Sequence, residues 1–453
     1  MEVQIMSRET IKPSSPTPHH LRTYKLCLFD QLASPFYIPI ILFYSATDHE
    51  NPGIKSDHLK NSLSKALTLF YPFAGRVKDD LTIDCNDDGA TFIEAQLGCD
   101  LSFVLEDPKI EVLQQLLPCN PRQNLLHQTQ SSTDQVMLAV QLNYFACDGI
   151  SIGICISHVI ADASAATNFL KAWAAVGCGS DINNIIEGVI SDCSTIFPPQ
   201  DLSNFYRVLS PIDEKIHMEL PEDKLVTKRF VFDGSKIAAL RNEMVDELNM
   251  YRPTRVEAVS ALIWEALIAA TTEIDGTSPI LVVAIPVSLR NRINPPLPQR
   301  YIGNVSFSAM VSSLDEEIKN RSSLAKKIRE TIKEIDHDCI RKTYMGTGEW
   351  LDNLMEKVCE EFEKNPKFGV FYFTSWCRFP FYETDFGFGK PIWFEGGLRV
   401  NRNAMFLDTC DGEGIEAWIT LSKEEMTKLE QQSGIITYSS FKSSFCTSHV
   451  YRE

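Results

Sequence analysis

The sequence predicts an α/β protein in two halves, each a mixed β-sheet flanked by helices. Three observations carry that expectation. The chain has 453 residues, long for a single hydrophobic core. Apolar periodicities of two and of 3.6 residues intermingle along it, too irregularly for doubly wound βαβ alternation. Periodicity lapses over "STIFPPQDLSNFYRVLSPIDEKIHMELPEDK" (194–224), where prolines and charges gather. The expected division is a domain at 1–200, a crossover linker at 201–224 and a domain at 225–453.

Each element has its own signal. "KPSSPTPHHL" (12–21) reads as an extended lead-in to a strand at "TYKLCLFD" (23–30). Over 56–76, Leu59, Leu63, Ala66, Leu67 and Phe70 recur at helical spacing until Pro72 and Gly75 stop the helix. "LTIDCNDDGATFIEAQ" (81–96) reads as a hairpin turning at Asn86-Asp87-Asp88-Gly89. "QVMLAVQLNYFACDGISIGICIS" (135–157) reads as a second hairpin, turning at Asp148-Gly149. A helix dense in small residues follows at 163–176. Beyond the linker come a strand at 227–233, helices at 234–248 and 254–271, and a strand at 279–289. A proline-rich loop (294–298), a strand (304–312) and a charged helical segment (314–365) precede strands at 368–376 and 391–400 and a hairpin through 404–420.

Composition excludes several classes. A formal net charge of −17 argues against a nucleic-acid partner, whose phosphates need a basic surface. Thirteen scattered cysteines without a C-x-x-C form neither a disulfide framework nor a zinc site, so they read as reduced thiols. No metal is expected. The start "MEVQIMSRET" lacks the apolar region of a secretory signal. The apolar run "FYIPIILFYSA" is well short of the ~20 residues of a membrane span. Two sequons, at Asn304 and Asn320, read as chance matches without a signal peptide. A cytoplasmic monomer with no membrane partner is the expectation.

"GISIGICISHVIAD" (149–162) holds two competing signatures. Gly149-Ile150-Ser151-Ile152-Gly153 matches G-x-S-x-G, which would make Ser151 an esterase nucleophile. That elbow needs a sharp turn at the serine, whereas the turn here precedes it and a β-branched run follows. Ser151 therefore reads as a strand residue. His158 and Asp162 form H-x-x-x-D where this strand ends and a helix begins. A histidine there can face a cleft as general base. An aspartate four residues on can cap the helix. The spacing alone is weak, and a buried structural histidine stays open beside the catalytic one.

"HVIAD" in this context and "DFGFGKP" (385–391) resemble the BAHD acyl-CoA-dependent acyltransferases of plant specialised metabolism. "LSKALTLFYPFAGRV" (63–77), "IDCNDDGATFIEA" (83–95), "VSLRNRINPPLP" (287–298), "YIGN" (301–304) and "FTSWCRFPFYETDFGFGKP" (373–391) follow in that family's order. The wording is most similar to the vinorine synthase-like branch of alkaloid and terpenoid O-acetyltransferases. Two departures are Ala163, where the family often has glycine, and Phe388, where it usually has tryptophan. Phe388 keeps a large ring but lacks an indole N–H.

The resemblance implies two chloramphenicol-acetyltransferase-like domains with an active-site channel between them, and a segment near 377–401 returning to the first domain. It implies transfer of an acyl group, expected to be acetyl, from acyl-CoA to a small-molecule alcohol. The donor is a co-substrate, with no permanently bound cofactor and no acyl-enzyme. His158 is the expected base and Asp162 an organiser that holds the loop. By the same resemblance Thr374 and Trp376 lie on the oxyanion side, Asn304 near the substrate channel, and Arg290 pairs with Asp385. Thr254 and Arg255 at a helix start, with Arg378, are candidates for CoA phosphates. A serine esterase using Ser151 and a non-catalytic ligand-binding relative are the alternatives.

Overall fold

Strand and helix each form where the apolar residues fit one period, and the helices cover the sheet faces those residues create. The computed structural model describes residues 1–46, 52–122, 135–181, 193–202, 221–245, 251–275, 281–298, 301–313, 320–344, 360 and 369–440. Most of the linker (203–220) and much of the charged segment 314–365 lie outside the described residues. In chain order the strands are β1 (Val3–Ile11), β2 (Thr23–Lys25), β3 (Tyr37–Tyr44), β4 (Arg76–Asp79), β5 (Thr82–Asp84), β6 (Ala90–Leu97), β7 (Leu138–Tyr144) and β8 (Ile150–Ser157). There follow β9 (Leu225–Phe232), β10 (Leu281–Ser288), β11 (Ser306–Ser312), β12 (Gly369–Ser375), β13 (Trp393–Glu395), β14 (Asn403–Asp408) and β15 (Ile415–Ser422).

Two mixed six-stranded sheets result. The first has the order β1-β6-β7-β8-β3-β13, the second β11-β10-β12-β14-β15-β9, and β2-β5-β4 form a small third sheet. The first sheet thus takes its edge strand β13 from late in the chain, paired antiparallel with β3. One face of it carries Ile40, Leu42, Ile152 and Ile154, buried in one cluster with Leu59, Leu63, Ala66 and Leu67 of the helix Pro52–Leu69 and Phe169 of the helix Ala163–Gly177. The apolar spacing read from 56–70 is this buried stripe. In the second sheet, Phe371, Phe373, Phe406, Ala417 and Phe230 cluster with Ala258, Leu262 and Trp264 of the helix Arg255–Asp275.

The remaining faces look at each other. Register places Ile41, Phe43, Ser151, Gly153, Trp393 and Glu395 on one face of the first sheet. It places Thr374, Met405, Leu407, Glu416, Trp418 and Arg229 on one face of the second. Met405, Leu407 and Trp418 are buried with the first sheet's residues rather than with their own sheet's core. The two sheets share one seam.

Three expectations change. Residues 81–96 do not form a hairpin: β5 pairs with β2 and β4, while β6 pairs with β1 and β7. The turn is real, with Asp87 and Gly89 at positive φ, but it passes the chain between two sheets. The strand expected at 23–30 stops at Lys25, and Leu28–Gln31 is a helical turn whose Cys27 N–H donates to Asp30 Oδ2 at 2.9 Å. The strand expected at 391–400 is only Trp393–Glu395. Every cysteine among the described residues is a free thiol. Among them no helix is long and apolar enough to cross a membrane, and no group of side chains could hold a metal.

Candidate active site

The hairpin of β7 and β8 is antiparallel with Tyr144 opposite Ile150, and Asp148 in its turn takes φ 61°. Ser151 therefore lies inside β8, opposite Phe43 and Asn143 and fully buried. Gly153 is glycine because the chain crosses over it: a Cβ there would meet Leu116 O at 2.0 Å. Ser151 is seven strand residues from His158, roughly 23 Å at about 3.3 Å per residue. A base cannot reach a nucleophile over that span. The esterase geometry is absent.

His158 follows the last residue of β8. Its N–H donates to Phe36 O at 3.0 Å, and its ring stands edge-on to Phe36 with centroids 5.2 Å apart. The ring is half-buried, with Nδ1 shielded from solvent. Burial lowers its pKa below the usual 6.5, opposed by a bond to its own backbone, by the charge of Asp162 and by the Asn304 side chain. The imidazole is thus neutral at pH 7, the form a base needs.

Asp162 caps the helix Ala163–Gly177, accepting from Ala165 N at 2.9 Å. Its two oxygens also take Arg290 Nη1 at 2.6 Å, Arg290 Nη2 at 3.1 Å and Val305 N at 3.0 Å. Burial works to raise this carboxyl, but Arg290 and the backbone donors outweigh it and hold the pKa below 3.8. Both oxygens are occupied, and no bond joins them to the His158 ring. Asp162 ties the helix start, Arg290 and Val305 together.

The pairing of Arg290 with Asp385 is therefore corrected. Arg290 has no exposed surface and forks onto Asp162 and Gly303 O. Asp385 instead accepts Gly387 N at 2.7 Å and Gly389 N at 3.0 Å, so its loop folds on itself and needs no distant cation. Phe388 packs edge-on to Tyr44 at 5.1 Å, a contact that asks for a ring and not an indole N–H.

The segment 301–305 closes the site from the second half. Gly303 bridges Ala161, and its φ of 102° and the Tyr24 hydroxyl 2.8 Å from where a Cβ would stand require glycine. Asn304 Nδ2 donates to His158 O at 2.7 Å and to Asp30 Oδ1 at 2.9 Å. Asp30 is buried, which pushes its carboxyl up to about 6 against the opposing bonds from Asn304 and Cys27. Sequence reasoning missed Asp30. Its only local signal was a charge directly after the apolar "LCLF" (26–29).

The other candidates are dispersed. Thr374 and Trp376 lie at the end of β12, and Trp376 tilts against Phe381 at 5.4 Å. No described hydrogen bond or ring contact joins either to His158. Thr254 exchanges capping bonds with Glu257, so that helix start already faces its own carboxylate. Arg255 pairs with Asp408 Oδ1 at 2.9 Å, while Arg378 N, at φ 69°, donates to Asp408 Oδ2. Arg255 is thus committed internally, whereas Arg378 is exposed.

Two sheets face to face hold a neutral histidine at a strand end, its loop tied across the seam by a buried arginine. The Transferase family model, that of the BAHD acyltransferases, matches residues 1–434, and the chain belongs to this family. The chain is 43% identical over 456 residues to a limonoid 1-O-acetyltransferase of Citrus sinensis, covering 98% of this chain and 100% of the relative. It is 42% identical over 446 residues to epi-neemfruitin B synthase of Melia azedarach, again covering 98% and 100%. The crystal structure of vinorine synthase superposes with a TM-score of 0.78 at 33% identity, over 97% of this chain and 99% of that one. The protein is an acyltransferase with acyl-CoA as its co-substrate.

Proposed function

We propose that this protein transfers acetyl from acetyl-CoA to a hydroxyl of a polycyclic plant metabolite, with His158 as general base. The observation that carries it is a neutral His158 whose loop is pinned by Asp162 and Arg290. With Nδ1 enclosed, Nε2 is the nitrogen left to meet a substrate. It takes the alcohol proton as the oxygen attacks the thioester carbonyl. The tetrahedral oxyanion accepts hydrogen bonds on the Thr374 and Trp376 side, the C–S bond breaks, and the imidazolium returns the proton to the CoA thiolate. The enzyme itself is never acylated. Two relatives of Citrus sinensis at 42–43% identity are named for limonoids, while stemmadenine O-acetyltransferase of Catharanthus roseus is at 36%, which favours an oxygenated terpenoid over an alkaloid.

On this reading residues 1–200, with the returning segment near 377–401, and 225–453 are two domains flanking one channel, and Arg378 is the remaining candidate for a CoA phosphate. An acidic chain with no nucleic-acid or membrane partner fits a cytoplasmic monomer. The test is mass spectrometry of products from a panel of terpenoid and alkaloid alcohols with several acyl-CoAs. An O-acetyl product and free CoA are expected, falling about 10²- to 10⁴-fold in His158→Ala. No product from any alcohol, or equal turnover in His158→Ala, overturns the assignment.

A further inference from the structure

The seam between the sheets holds ionisable groups that the acyl transfer does not use. Trp393 and Glu395, two residues apart on β13, share one face of the first sheet. Opposite them on the second sheet are Glu416 and Arg229. The Trp393 indole N–H donates to Glu416 Oε2 at 3.4 Å, and the Arg229 guanidinium lies over the Trp393 ring at 5.6 Å. Arg229 Nε is 3.0 Å from Glu416 Oε2. Glu416 and Arg229 therefore both meet one indole, with Glu395 two residues along the same face of its strand.

The charges do not balance. Glu395 is 0% and Glu416 1% exposed, yet one arginine faces the two of them. Among the described residues Tyr382 is the other titratable side chain on this cluster, with Asp408 and Cys410 beyond it; the Tyr382 hydroxyl is buried and its pKa raised, so it brings no charge. The hydrogen bonding is incomplete in a matching way. Glu395 Oε2 accepts from Gly397 N and Glu416 Oε2 from Trp393, while Glu395 Oε1 and Glu416 Oε1 are both buried without a partner. Two ionised carboxylates would leave both oxygens unsatisfied and a net negative charge in the interior, costing several kcal/mol per ion. One proton between them cures both defects.

We propose that Glu395 and Glu416 share one proton across the seam between the two sheets, and so act as positioning residues that hold the segment 393–397 against Met405 and Trp376. The contact is close: a Cβ on Gly396 would stand 2.2 Å from Met405 Cε and 3.6 Å from Trp376 Cζ3. Thr374 is the register partner of Met405. The segment that the proton steadies thus backs directly onto the candidate oxyanion side.

Burial, with Glu416 adding to it and Arg229 opposing, raises Glu395 from 4.5 to about 7, and burial raises Glu416 too. The sign follows from linkage. Between 4.5 and about 7 the folded protein holds a proton that the unfolded chain has released. The stabilisation is complete below 4.5 and is lost as pH rises through about 7.

The experiment is difference infrared spectroscopy of the carboxylic-acid carbonyl between about pH 5 and about pH 9 in wild type, Glu395→Gln and Glu416→Gln, with unfolding midpoints followed over the same range. Asp30, at about 6, ionises within that window in all three proteins. Wild type should lose one further buried acid band and fall in midpoint more steeply than Glu395→Gln up to about pH 7. Glu395→Gln should lack the band and flatten the midpoint curve. Glu416→Gln should move the band to lower pH, because burial still raises Glu395 while the second carboxylate no longer adds to it and Arg229 still opposes. An unchanged band in both variants overturns the shared proton, and Glu416→Gln alone decides the matter if Glu395→Gln does not fold. The positioning rests on the acyl-transfer reading, and the infrared result does not. An alkaline decline in kcat that persists in Glu395→Gln overturns the positioning.

Discussion

At the scale of single residues, the seam Arg290–Asp162 pair is the most consequential. Arg290→Ala would leave a buried carboxylate with one helix N–H and the Val305 N–H, so a loss of about 3–5 kcal/mol is expected in urea unfolding. Ser151→Ala should act oppositely. The hydroxyl is buried and unpartnered, so its removal should leave acyl transfer intact and stability unchanged or raised by about 1 kcal/mol. The lowered His158 pKa predicts an acid limb of kcat/KM below pH 6.5, since activity requires the neutral ring and is lost as pH falls through that pKa. His158 and Asp162 were legible because they sit in one short motif at a strand end. The Arg290 partner was not, because the resemblance paired Arg290 with Asp385 and no local pattern links Asp162 to a cation 128 residues on. Only the fold shows that one is already satisfied by its own loop.

At the scale of elements, period decided most of what could be read. The helix Pro52–Leu69 and the β7–β8 pair show one buried stripe or one hairpin, and their residues announce it. β1 was not anticipated because it is an edge strand exposed along most of its length, with Ile5 51% and Met6 58% accessible, so no alternation marks it. The 81–96 segment misled for a different reason. Its turn chemistry is correct, yet β6 finds Val3–Ile11 as its antiparallel partner, a choice made by distant residues that no local turn encodes. β8 is the element most sensitive to change. Gly153→Ala would drive a methyl into the Leu116 carbonyl, with an expected cost of about 1–3 kcal/mol or more in denaturant unfolding. Because β8 carries His158 at its end, the same variant should lower kcat.

For the whole molecule, β13 is what makes two sheets into one body. Trp393 stacks on Phe43 at 5.0 Å within the first sheet and reaches Trp418 of the second at 6.5 Å. Trp393→Ala should cost about 3–5 kcal/mol, and calorimetry should resolve the single unfolding transition into two as the halves uncouple. The strand also imposes an order on biosynthesis. β3 ends at Tyr44 and its neighbour β13 begins at Trp393, so residues 45–392 separate the two. At about 5–20 residues per second of synthesis, that interval lasts roughly 20–70 s. Throughout it a fully apolar β3 leaves the ribosome with one edge unpaired, open to the strands of neighbouring nascent chains. Expression yield should therefore depend on chaperone supply.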